Sequence, residues 1–109
     1  KIRFSNKTNY TLGFKQLDKH LKTAGLIINA TPLNPISKEN KKLIKKDTIL
    51  SDVVYSPKET AFLKQFPKNK KIYGISMLLE QAASSFKFWF GYRPKINKEL
   101  IRILDKKIK

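Results

Sequence analysis

Apolar residues return at a helical period along GISMLLEQAASSFKFWFG, from Gly74 to Gly91. At about 100° per residue, Leu78, Leu79, Ala82, Ala83, Phe86, Trp89 and Phe90 share one broad face. That pattern predicts a core-facing helix that stops at Gly91. Met77, Gln81, Ser84, Ser85 and Phe88 fall on or near the opposite side. There an amide stands between a thioether and an aromatic ring, in a chain whose usual surface residue is lysine. A mixed face of this kind fits a helix that lies beside a ligand cleft or another domain.

The rest of the chain alternates short apolar runs with thinner amphipathic stretches. Lys1 to Phe4 predicts a short strand, and Ser5 to Asn9 a polar turn. Phe14, Leu17 and Leu21 repeat at helical spacing, which predicts a short helix to Lys22. Leu26-Ile27-Ile28 predicts a strand buried on both faces, as in a parallel sheet covered by helices. Asn29-Ala30-Thr31-Pro32 ends it abruptly, with small residues that let a ligand approach the backbone. Ser37 predicts a helix cap, with the helix reaching about Lys45 along an edge of Leu43 and Ile44. Ile49 to Tyr55 predicts a second strand, interrupted at Ser51-Asp52. Ser56-Pro57-Lys58-Glu59 matches a capping box, predicting a helix that buries Phe62, Leu63 and Phe66 before Pro67. Lys70 to Tyr73 predicts a third strand. Asn97 to Lys107 predicts a last helix with Ile96, Leu100, Ile101, Leu104 and Ile108 on its apolar stripe. The order predicts an α/β layer arrangement, with too few strands for a complete doubly wound sheet.

Composition narrows the partners. The chain has 109 residues and no cysteine, which excludes disulfides and thiolate metal sites. Its single histidine, His20, lies off the apolar stripe and reads as a surface residue. No run is apolar and long enough to span a bilayer, and the N-terminus lacks the apolar centre of a signal peptide, so a cytoplasmic setting is expected. The formal charge is +16. A phosphate-backbone binder would carry such a charge. Here the lysines are spread over the chain, only Arg3, Arg93 and Arg102 are arginines, and no base-reading motif accompanies them. A lysine-rich solvated surface accounts for the charge, so neither a specific nucleic acid nor a membrane is an expected partner.

No glycine-rich phosphate loop occurs, since Gly13 and Gly25 are isolated. The acidic residues sit among lysines, and no serine has a histidine–acid set. The chain therefore carries no catalytic residue of its own that the sequence reveals. Three places stand to converge: Asn29 to Pro32, Asp52 to Tyr55, and Gly74 to Gln81. Gln81 offers a donor and an acceptor suited to a polyol or carboxylate, and reads equally as an exposed helix amide. Met77 fits core packing or a cofactor contact. Tyr55 fits a rim aromatic or a hydroxyl donor at a strand end.

LIINATPLNP at Leu26 to Pro35, SDVVYSPKETAFLKQ at Ser51 to Gln65 and YGISMLLEQAASSFKFWFGYRP at Tyr73 to Pro94 resemble, in order and separation, the C-terminal part of a shikimate dehydrogenase. The likeness runs from Ala24 to Ile103. It implies a partial Rossmann-like doubly wound parallel sheet. Residues 1–109 would then be the C-terminal portion of the cofactor-binding domain, closed by helices at about 76–90 and 97–107 that pack on a preceding domain. It also implies NADP as cofactor and reversible reduction of 3-dehydroshikimate to shikimate, in the pathway to aromatic amino acids. Gln81 would hydrogen-bond the substrate and Tyr55 would line its pocket. Asn29, Ala30 and Thr31 would lie beside the cofactor, with Gly74 and Met77 near the nicotinamide ring.

The departures from the family pattern are specific. The N-terminal substrate domain, with its catalytic lysine, partner aspartate and carboxylate-holding serines, has no counterpart here, nor has the glycine-rich loop. That domain or a second copy is expected to complete the cleft. A truncated, non-catalytic remnant is the competing expectation, and a small basic nucleic-acid-binding module the third. Asn6-Lys7-Thr8 resembles the family's Asn-Arg-Thr motif, whose basic residue reads the 2′-phosphate; chance likeness is the other reading of Lys7. Leu33-Asn34-Pro35 replaces a frequent Gly-Met, and Ser76 stands where glycine is common.

Overall fold

The computed structural model describes residues 13–108. The expected strand at Lys1 to Phe4, the turn at Ser5 to Asn9 and the motif around Lys7 lie outside them. A single 3-10 turn, Phe14–Gln16, leads into α1, Leu17–Leu21. Then follow β1 (Leu26–Asn29), α2 (Lys38–Lys41), β2 (Ile49–Asp52), α3 (Ala61–Lys64), β3 (Lys71–Ile72), α4 (Gly74–Phe90) and α5 (Lys98–Lys107). The strands form one parallel sheet in the order β1-β2-β3. Helices cross between successive strands, so the chain is a partial Rossmann-like sheet, as the alternation of elements predicts.

Strand parity fixes which side is covered. Ile27 pairs with Leu50 and Asn29 with Asp52, so these four side chains point to one face. Below them lies the core of Leu21, Ile36, Leu50, Phe62, Leu63 and Phe66. The rings of Phe62 and Phe66 meet edge to face, 5.7 Å between centroids. The expected burial of β1 on both faces is not found. Leu26 and Ile28 are 50 % and 56 % exposed, because all the core-forming helices pack on the opposite parity.

Local chemistry moves several boundaries. Ser37 caps α2 by accepting from the Asn40 amide at 3.1 Å, but the helix lasts one turn and gives way to turns before Thr48. β2 stops at Asp52 and not at Tyr55, because the Asp52 side chain takes the Val54 amide at 3.0 Å and curls the backbone away. No helix starts directly after Ser56. Thr60 caps α3 instead, accepting from the Leu63 amide at 3.3 Å, and Glu59 pairs with Lys71. The Ser56–Pro57 peptide bond is cis.

α4 runs for 17 residues and ends where Gly91 turns left-handed at φ 78°. Only glycine adopts that conformation without a Cβ penalty. Its predicted core face is mostly uncovered. Ala83 is buried and Leu78, Leu79 and Phe86 are half-buried, whereas Ala82, Trp89 and Phe90 are exposed. Pro94, Lys95, Ile96 and Leu100 come back to line a hollow with Leu79, Ala82, Ala83 and Phe86, and Tyr92 meets the Phe86 ring, but the end of the helix stays open. α5 begins at Asn97, whose Oδ1 accepts from the Leu100 amide at 2.8 Å. Its apolar stripe is half-buried at best. Among the described residues no helix is long and apolar enough to cross a membrane.

Candidate functional site

The carboxyl ends of β1 and β2 open into a cavity of about 340 Å³. The segments after the two strands wall it, with Asn29, Thr31 and Leu33 on one side and Asp52, Val54 and Thr60 on the other. In open parallel sheets this is the edge at which ligands bind. A second hollow of about 270 Å³ lies across the 29–31 segment and is lined by Leu17, Leu21, Ile27, Ala30 and Ile36 among others. The first cavity is the more polar in its side chains, and the second is a slot between aliphatic residues.

A closed hydrogen-bond network stands behind the first cavity. Asn29 is only 4 % exposed and Asp52 only 1 %. The Asn29 amide donates to the Leu33 carbonyl at 2.9 Å and to Asp52 Oδ2 at 3.2 Å. Its Oδ1 accepts from the Thr31 amide at 3.1 Å and the Thr31 hydroxyl at 2.8 Å. Asp52 Oδ2 also accepts from the Thr60 hydroxyl at 2.6 Å, and Asp52 Oδ1 from the Val54 amide. Both loops are thereby tied to one buried carboxylate. Burial of such a group is tolerable only because its oxygens are partnered.

The predicted residues divide between this cavity and the surface. Asn29 and Thr31 line it, and Ala30 lines the second hollow. Gly74 is buried where α4 meets the end of β2. A Cβ there would lie 2.7 Å from the carbonyl oxygens of Val53 and Val54 and 2.8 Å from that of Asp52. Tyr55, Met77 and Gln81 are exposed and line neither hollow. Gln81 sits two turns along α4, roughly 10 Å beyond Gly74 at 1.5 Å per residue. Neither of these two hollows, then, joins the strand-end segment to the helix amide.

The sequence reading named Asp52 as the start of a converging strand end without giving its carboxylate a role, and did not single out Thr60. A signal was present for each. Asp52 has the same inward parity as Leu50, so a carboxylate stands where the pattern calls for an apolar side chain. Thr60 directly precedes the apolar run Ala61-Phe62-Leu63, the position of a cap.

Comparison with known proteins gives a consistent result. Residues 74–97 match the family model "Shikimate 5'-dehydrogenase C-terminal domain". A shikimate dehydrogenase (NADP(+)) of Methanococcus aeolicus is 38 % identical over 114 aligned residues, covering 93 % of this chain and 40 % of that protein. A crystal structure of a shikimate dehydrogenase in complex with NADP+ superposes with a TM-score of 0.72 at 31 % identity, covering 85 % of this chain and 35 % of that one. A quinate dehydrogenase from Corynebacterium glutamicum in complex with NAD gives a TM-score of 0.65 at 25 % identity, over 75 % of this chain and 31 % of that one. The chain thus spans about two fifths of the length of the curated relative.

Proposed function

We propose, from a chain that matches the shikimate dehydrogenase family over its C-terminal part, that it supplies one wall of the catalytic cleft of an NADP-dependent shikimate dehydrogenase. Residues 1–109 would form the C-terminal portion of the cofactor-binding domain. The observation that carries this reading is similarity that runs through nearly the whole chain and through all three motifs, not through the helix alone. The reaction would be the reversible reduction of 3-dehydroshikimate to shikimate.

The residues present fit a dinucleotide in part. The cavity lies at the strand edge such cofactors use, and the small residue Ala30 lines the hollow across the same loop. NADP would supply the hydride, and the chain would supply position. Thr31 and Ala30 would lie against the cofactor. Asn29 would act through the loop it shapes, since its own amide is fully engaged within the protein. Gly74 would bring α4 close enough for Met77 to pack on the nicotinamide. Gln81 would hydrogen-bond the substrate and Tyr55 would line its pocket, both from exposed positions that another domain or a second copy would enclose. The groups that hold a pyrophosphate and move the substrate proton would come from that other part.

The test is an assay of the complete gene product for NADPH oxidation with 3-dehydroshikimate, run beside quinate with NAD+. Turnover with the first pair is the expected result, and preference for the second moves the substrate and cofactor to the quinate branch of the likeness. A folded product that binds no nucleotide and turns over neither pair overturns the proposal in favour of a non-catalytic remnant. In an active product, Gln81→Ala is expected to raise the KM for shikimate about tenfold, the cost of roughly one hydrogen bond to a charged or polyhydroxylated ligand. The KM for NADP should not move, and equal KM values for shikimate in the two proteins remove Gln81 from the site.

A further inference from the structure

We infer that Asp52 is a positioning residue, a buried carboxylate that sets the shape of both loops walling the cavity. This rests on the reading that the cavity takes a nicotinamide dinucleotide. The cavity is walled by the segments after β1 and β2 and by the start of α3, so its shape depends on where those segments lie. Asn29 holds the first loop by donating to the Leu33 carbonyl and by accepting twice from Thr31. The remaining amide hydrogen of Asn29 goes to Asp52 Oδ2 and ties this loop to the end of β2. The second loop is held at the Val54 amide by Asp52 Oδ1. The start of α3 is held by Thr60, which donates to Asp52 Oδ2 while accepting from the Leu63 amide. The loop after β1, the turn after β2 and the start of α3 therefore meet at one side chain.

The chemistry of the site calls for a carboxylate in particular. Asp52 meets donors at both oxygens: the Val54 amide at one, Asn29 and Thr60 at the other. An asparagine amide has one oxygen and one NH2 group, so either orientation sets a donor against a donor. Asp52→Asn is therefore nearly isosteric and still breaks the hub. Thr60→Val removes the donor and the cap at constant shape, and Thr60→Ser keeps both.

The experiment measures two things on the complete gene product: the dissociation constant for NADPH at a temperature where every variant is folded by circular dichroism, and amide hydrogen exchange without nucleotide. Asp52→Asn and Thr60→Val are expected to weaken NADPH binding about tenfold, the loss of one hydrogen bond's worth of placement. Thr60→Ser is expected to restore it. Exchange is expected to rise at the Thr31, Leu33 and Val54 amides and to stay unchanged in the β1–β2 ladder. A purely structural role would instead lower thermal stability and speed exchange everywhere in proportion. That uniform pattern, or unchanged exchange at all three loop amides, overturns the inference. A wild-type protein that binds no NADPH overturns the proposed cofactor, and the exchange arm then decides the hub on its own.

Discussion

Asn29 uses every hydrogen-bonding position of its amide inside the protein: two donors to Leu33 and Asp52, two acceptances from Thr31. Sequence placed this residue at a strand end but did not reveal these partners, because a polar side chain after an apolar strand looks the same whether it faces a ligand or its own loop. Asn29→Asp separates the two. It turns a donor into an acceptor facing both the Leu33 carbonyl and the Asp52 carboxylate, and it buries a second negative charge. Loss of stability by about 3 kcal/mol or more is expected in urea unfolding, in the range for breaking a buried polar pair. Gly74 makes the complementary point. Its importance was legible as a glycine before a helix, but not its reason, which is the approach of three carbonyl oxygens from the end of β2 and the two residues after it. Gly74→Ala is expected to cost roughly 1–3 kcal/mol by overpacking. Thermal unfolding would show this as a fall in Tm of several degrees.

At the scale of elements, local signals succeeded where the competing partners were also local. α4 could be read nearly to the residue, since its period, its lack of proline and its terminal glycine all lie within the helix. Ser37 caps as expected, and the last helix begins at Asn97 as expected, for the same reason. α3 could not be read so well. Ser56 to Glu59 satisfies the capping-box pattern, yet Thr60 starts the helix because it alone reaches Asp52 while capping Leu63. Glu59, which the box would turn back towards Ser56, goes to Lys71 on β3. A tertiary carboxylate and a tertiary lysine thus outweigh a local motif worth about 1 kcal/mol. The α4 stop is the element-scale prediction. Gly91→Ala forces a Cβ into left-handed backbone and is expected to destabilise by roughly 1–2 kcal/mol. Fraying should be visible as faster amide exchange at Gly91, which donates to the Lys87 carbonyl at 2.9 Å, and not at the middle of the helix.

The whole molecule sets two large-scale forces against each other. Leu26 and Ile28 on the open sheet face, and Phe88, Trp89 and Phe90 at the end of α4, leave apolar surface in contact with water. Such surface favours association. A formal charge of +16 opposes the approach of like molecules. Salt decides between them, because at about 0.1 M the screening length falls to ~10 Å while apolar attraction is untouched. The 109-residue chain alone is therefore expected to sediment as larger species as salt rises. A polyanion-binding module would behave in the opposite sense, losing its partner as salt rises. The chain's single tryptophan reports the surface involved, since Trp89 is 72 % exposed. Association through the end of α4 should shift its emission to the blue in step with the sedimentation change. Association without that shift moves the contact to the open face of the sheet, where Ile28→Lys should abolish it.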